Sequence, residues 1–163
     1  MRKLESRFES LDRLVEWFVA TLVAAMVIAG FMQIVNRFVF NVSLSWSEEL
    51  QRYINIWIVF LAVPIGYRRG AHLGMNLLFE RLPALAQKTL VVVQELLWLT
   101  LALAIAWYAT RIMDVAQNQT SGSLGITMDK VYLAQVVGGV YLALTAIRRL
   151  VTRLTPHRLI EIR

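Results

Sequence analysis

The residues of this chain that could do chemistry are polar side chains set inside or against long apolar runs. Glu48, Glu49 and Arg52 stand at the head of one run, with Asn55 a turn further in and Trp46 just before it. Arg68, Arg69, Gly70 and His72 close that run, Arg37 ends the one before, and Glu95 lies near the start of the next. An acid inside a membrane can carry a proton, and paired charges can hold helices together or meet a partner. Other chemistries lack their parts. Without cysteine there is no thiol redox chemistry and no disulfide. His72 and His157 fall outside the apolar runs, so haem ligation within a span is not expected. No phosphate-binding glycine loop, metal-binding cluster or nucleophilic constellation occurs. Neither enzyme activity nor a cofactor is expected.

The elements that must position these residues are membrane helices. The chain has 163 residues, of which 58% are hydrophobic, and its mean hydropathy is +0.56. Soluble domains are nearer ~45–50% apolar, and the polar segments here are too short to form a separate soluble domain. The expected fold is an all-α integral membrane protein with four transmembrane helices at about 17–40, 48–69, 89–113 and 131–148. Residues 1–16 are amphipathic, with Leu4, Phe8, Leu11 and Val15 on one stripe and Glu9 and Arg13 spaced to pair. They form either a surface-lying helix or an extension of the first span. Residues 73–82 are expected as a short amphipathic interfacial helix. The N-terminus lacks the pattern of a cleavable signal, because its apolar run exceeds a signal core and acids precede it.

Each span carries marks of its surroundings. Ser45 and Glu48 have capping-box spacing, which places Glu48 and Glu49 at the favourable end of the helix dipole. Gly70 stands where a left-handed stop is expected after Arg68 and Arg69. Glu48, Arg52 and Asn55 share one helix face, and such a strip must meet protein or water. The tight connection 41–44 makes the first two spans antiparallel neighbours. Arg37 either reaches the outer interface or pairs with Glu48 or Glu49. Glu95 is buried if the third span begins early, and interfacial if it begins at Leu96. Ala20/Ala24, Ala25/Ala29, Ala134/Gly138 and Gly139/Ala143 allow close helix approach.

Charge fixes the expected orientation. Thirteen of the 17 basic residues lie at 1–14, 68–88 and 148–163, whereas Arg37, Arg52, Arg111 and Lys130 lie toward the other side. The positive-inside rule then puts both termini in the cytoplasm, N-in and C-in. The net charge of +6 belongs to these flanks and not to a nucleic-acid surface. The lipid bilayer is the expected partner. From the residues alone, three functions stay open: a subunit of a membrane complex, a small stand-alone proton-coupled transporter using Glu95, and a membrane anchor for an enzyme.

SWSEELQRY, then an apolar span, then YRRGAHLGMNLL, resembles the DctQ-like small membrane subunit of tripartite ATP-independent periplasmic (TRAP) transporters. That family's pattern is Trp-x-Glu-Glu-x-x-Arg, then Arg-Arg-Gly-x-His-hydrophobic with an acid soon after. Trp46, Glu48, Glu49, Arg52, Arg68, Arg69, Gly70 and His72 match it, whereas Asn76 stands where the family often has Asp. Residues 122–129 resemble the family's loop before the fourth span only loosely, lacking its usual proline. The resemblance implies a three-part system in a bacterial inner membrane. A periplasmic solute-binding protein delivers an organic acid, and a large membrane subunit moves it inward with sodium by an elevator-like motion. The small subunit is bound to the static scaffold of the large one. Arg37 and Asn55, together with the matched residues, are the expected subunit-interface or structural positions. Glu48 and Glu49 either cap a helix or meet the transient binding protein.

Overall fold

No proline interrupts the chain before Pro64, and the first apolar run contains a single glycine. Nothing therefore stops a helix once it has started. In the computed structural model, which describes residues 2–69 and 83–154, α1 runs unbroken over Arg2–Val39. Residues 2–16 are thus continuous with the first apolar run and form the start of one long rod. Then follow α2 (Ser45–Arg68), α3 (Ala84–Ala116) and α4 (Met128–Leu154). All four are long and apolar enough to cross a membrane, and among the described residues there is no strand. Gly70, His72 and the expected interfacial helix at 73–82 lie outside the described residues.

The connections explain the helix ends. Asn41 adopts φ 53°, the left-handed conformation that Asn tolerates better than most residues. The Val42 amide then returns to the Asn36 carbonyl at 3.0 Å, closing the hairpin between α1 and α2. The expected capping box does not form. Leu44 is the N-cap of α2 and no side chain caps it. Ser45 is already helical, and the Ser47 hydroxyl donates to the Leu44 carbonyl at 2.7 Å. Pro83 precedes α3, whose start at Ala84 places Glu95 three turns inside the helix. Between α3 and α4 the chain makes a small bridged loop. The Ser121 amide donates to the Ile126 carbonyl at 2.8 Å, and Gly125 takes φ 64°.

Helix α4 is central, packing against both α3 and α2, while α1 packs on α2. Its small residues allow this. Ala134, Gly138, Gly139 and Ala143 are all buried. A β-carbon at Gly138 would come within 2.5 Å of the Phe60 carbonyl oxygen on α2, and one at Gly139 within 3.1 Å of the Ala102 carbonyl on α3. Glycine is required at 138 because two backbones touch there. Tyr67, Ala102, Leu142, Ala143 and Ala146 form the tightest core cluster, with Trp98 and Leu99 against it. On α1, Ala29 is buried, but Ala20 and Ala24 are exposed.

Gly138→Ala is expected to destabilise the bundle by about 1–3 kcal/mol, the usual cost of forcing atoms into a filled site. Gly66→Ala, where a β-carbon meets nothing within 4 Å, is expected to leave stability unchanged or slightly raised. Thermal unfolding in detergent separates the two.

Candidate functional site

Antiparallel hairpins bring the N-terminal part of α1, the C-terminus of α2, the N-terminal third of α3 and the C-terminal half of α4 to one end of the bundle. Among the described residues, two carboxylates are buried there. Asp12 on α1 is 4% exposed and Glu95 on α3 is 3% exposed. Asp12 accepts from Arg68 at 2.7 Å, from Arg148 at 3.1 Å and from the Tyr141 hydroxyl at 2.7 Å. Arg68 also pairs with Glu16, and Arg69 reaches the same Glu16 oxygen at 2.9 Å. Around Glu95, Arg149 approaches at 3.2 Å and the Tyr67 hydroxyl donates to its other oxygen. The Arg149 guanidinium lies 4.4 Å from the Tyr67 ring centroid and also donates to the Tyr67 carbonyl. Tyr67 in turn packs on Trp98 with ring centroids 4.8 Å apart. These contacts join all four helices.

The depth of Glu95 follows from the early start of α3, which resolves the two alternatives in favour of burial. Its partner comes from α4, not from its own helix. Its carboxylate holds a cation and a phenol, so it is engaged in an inter-helix contact.

At the other end the polar residues of α2 divide into two groups. Glu49 is a clamp. It accepts from Tyr53 at 2.8 Å and, through its second oxygen, from the backbone amides of Ser123 and Leu124, both at 2.9 Å. It therefore ties the α3–α4 loop to the first turn of α2. Glu48 accepts from Gln33 at 3.0 Å, and Gln33 accepts from Gln51 at 2.7 Å. Arg37 makes neither of the two expected ion pairs. Gln33 is level with Glu48, so Arg37, one turn nearer the connection, passes beyond the start of α2 and lies exposed. Arg52 and Asn55 are exposed, as is Glu48 on the same face, and Trp46 is half-buried. The polar strip expected on α2 is thus exposed, with only its head, Glu48, touching α1.

Asp12, Glu16, Tyr141, Arg148 and Arg149 were not among the site residues expected from sequence. One signal was available for Asp12. It lies four residues after Phe8 and three before Val15, inside the apolar stripe of residues 4–15. An acid on that stripe is buried with the apolar side chains and needs a cation. Which cations serve it was not readable from spacing, because Arg68 and Arg148 come from other helices.

Asp12→Asn leaves Arg68 and Arg148 without their shared carboxylate, though Arg68 keeps Glu16, and is expected to destabilise the bundle by about 1–3 kcal/mol. Arg52→Gln, on the exposed strip, is expected to stay within about 0.5 kcal/mol. Unfolding of the purified chain in detergent measures both.

The architecture and motifs agree with known proteins. The family described as tripartite ATP-independent periplasmic transporters, DctQ component, matches residues 26–155. A Haemophilus influenzae protein assigned as a TRAP transporter small permease is 25% identical over 142 residues, covering 87% of this chain and 88% of that one. The sialic acid TRAP transporter small permease protein SiaQ of Vibrio cholerae is 23% identical over 145 residues, 86% of this chain and 81% of the relative. The isethionate TRAP transporter permease protein DctMQ of Oleidesulfovibrio alaskensis is 32% identical over 107 residues, which is 64% of this chain but 16% of that much longer protein. A bundle of four membrane-length helices, clamped at both ends and carrying the Trp-x-Glu-Glu-x-x-Arg and Arg-Arg motifs, therefore belongs to the DctQ component family of TRAP transporters: it is a small permease subunit and not an enzyme.

Proposed function

We propose that this chain is a stationary brace for the large membrane subunit of a TRAP transporter. The observation that carries the proposal is the exposed strip of Glu48, Arg52 and Asn55 on a membrane-length helix. A charge at the bilayer centre costs ~2.5–3.5 kcal/mol even on the mildest scale, and the cost persists, reduced, where this strip enters the membrane. A strip of this kind is completed by a protein neighbour or by water. The long relative DctMQ, in which the counterpart of this chain is a small part of one permease polypeptide, supports the large permease subunit as that neighbour. Rigidity supports the same reading. Ion pairs join the helices at one end, and Glu49 clasps the loop at the other. A fixed platform lets a neighbouring domain move against it.

In this reading the large subunit moves an organic acid inward with sodium, and a periplasmic binding protein delivers it. The chain itself carries neither solute nor ion. Its basic end faces the cytoplasm, as the thirteen basic residues there favour, and the protein resides in the inner membrane. Glu49 is committed to the loop, so any contact with the binding protein falls on the loop it holds and on the exposed Glu48 and Arg37. Holding Arg149 and Tyr67, Glu95 serves the bundle's structure and not a proton path.

The paired change Glu48→Ala and Arg52→Ala is expected to weaken co-purification with the large subunit about tenfold, a loss typical of interfacial polar contacts left unmade. Uptake should fall with it, while membrane abundance of the chain holds. Unchanged assembly and uptake would remove the strip from the interface. Purified alone in sealed vesicles, the chain is expected to accumulate no solute under a sodium or proton gradient.

A further inference from the structure

A cleft of about 430 Å³ opens between α1 and α2 at the basic end, lined by Glu9, Arg13, Glu16, Arg68 and Arg69. It is a charged site only partly satisfied from within. Glu16 is shared by Arg68 and Arg69, and Asp12 behind it is shared by Arg68 and Arg148. The expected pair of Glu9 and Arg13 does not form, and neither enters any ion pair among the described residues. The Arg69 side chain is 63% exposed, and the buried Nε of Arg68 has no hydrogen-bond partner. The cleft thus offers unused guanidinium donors beside one unused carboxylate.

Its surroundings are those of a membrane interface. Arg13, Glu16, Ala20 and Ala24 follow one another at helical spacing along α1. Below the charges, the exposed Ala20 and Ala24 leave a shallow strip with no bulky side chain. Trp17, one turn beyond Arg13, is 71% exposed, at the position where an amphipathic ring marks headgroup depth. Charged cleft, interfacial tryptophan and small-residue strip lie in series, as headgroup, glycerol and acyl chain do in a lipid.

We propose that this cleft binds the headgroup of a phospholipid that carries both a phosphodiester and a primary ammonium, the phosphoethanolamine class. Arg13 and Arg69 donate to the phosphate oxygens, since guanidinium groups match that geometry. The ammonium donates to Glu9. An acyl chain runs along Ala20 and Ala24 beside Trp17. The acid sets the choice. A wholly anionic headgroup would bring negative charge against Glu9, and a trimethylated amine offers no N–H to it. This proposal stands apart from the bracing role, because it concerns a face of α1 and α2 at the end opposite to the Glu48–Arg52 strip.

The test is native mass spectrometry of the full-length chain with equal amounts of phosphatidylethanolamine, phosphatidylcholine and phosphatidylglycerol of the same acyl composition. Retention of phosphatidylethanolamine is expected to exceed that of each of the others by about fivefold, the scale of one charge at an interface. Glu9→Gln is expected to abolish the preference over phosphatidylcholine while phospholipid is still retained. Arg13→Gln is expected to lower retention of all three. Neither residue enters an ion pair among the described residues, so the variants should keep the wild-type melting temperature. Equal retention of the three lipids would overturn the proposal, as would phosphatidylglycerol bound tightest or a preference that survives Glu9→Gln. Displacement of the lipid by millimolar inorganic phosphate would also overturn it, reassigning the cleft to a free anion.

Discussion

Two carboxylates withdrawn from solvent at one end of a helix bundle set the terms for the rest of this molecule. In a medium of low dielectric, an unpaired acid is far costlier than a paired one. Asp12 therefore requires Arg68 and Arg148, and Glu95 requires Arg149. Each requirement crosses between helices. Meeting both at once draws α1, α2, α3 and α4 to a common point and leaves little room for one helix to slide past another. Hydrogen bonds from Tyr141 and Tyr67 use further carboxylate oxygens, so the network is connected and not merely charge-balanced.

That constraint at one end is matched by a different device at the other. Glu49 accepts two consecutive backbone amides of the α3–α4 loop together with the Tyr53 hydroxyl. Backbone amides carry their partial positive charge regardless of side chain, so the loop is fixed through its main chain. Between the two ends, dispersion and close backbone approach take over. Gly138 and Gly139 let α4 approach α2 and α3 until carbonyls limit the distance. Lipid offers no hydrophobic drive to bring helices together, so such packing supplies much of the cohesion.

With both ends fastened and the middle close-packed, the remaining polar groups on the outside stand out. The face of α2 carrying Glu48, Arg52 and Asn55 is exposed, and only Glu48 at its head touches another helix, through Gln33 of α1. Among the described residues of this DctQ-family subunit, one polar strip and one charged cleft offer groups to a neighbour. These two places differ in chemistry. The strip interleaves an acid, a base and an amide along a helix, as another helix could meet. The cleft gathers arginines around Glu9, an acid in no ion pair among the described residues, an arrangement suited to a small zwitterionic group.

What the sequence determined by itself was the count of membrane helices, the polar strip on α2, the small-residue faces of α4 and the resemblance to the DctQ family. Each depends on local spacing or on a contiguous motif, and those survive without knowledge of the fold. Glu48, Arg52 and Asn55 share a face because a helix has 3.6 residues per turn, whatever surrounds it. The tertiary structure alone decided which charges pair. Arg37 was a reasonable partner for Glu48 by proximity in the chain, but hairpin register put Gln33 there instead. Ser45 had the spacing of a cap, yet the left-handed Asn41 and the tight turn let α2 begin at Ser45, with Leu44 at the capping position. Asp12 and Arg148 are separated by 136 positions, and no periodicity reports a contact of that kind. Such pairings are set by how four rods pack against one another, which is a property of the assembled bundle and not of any segment within it.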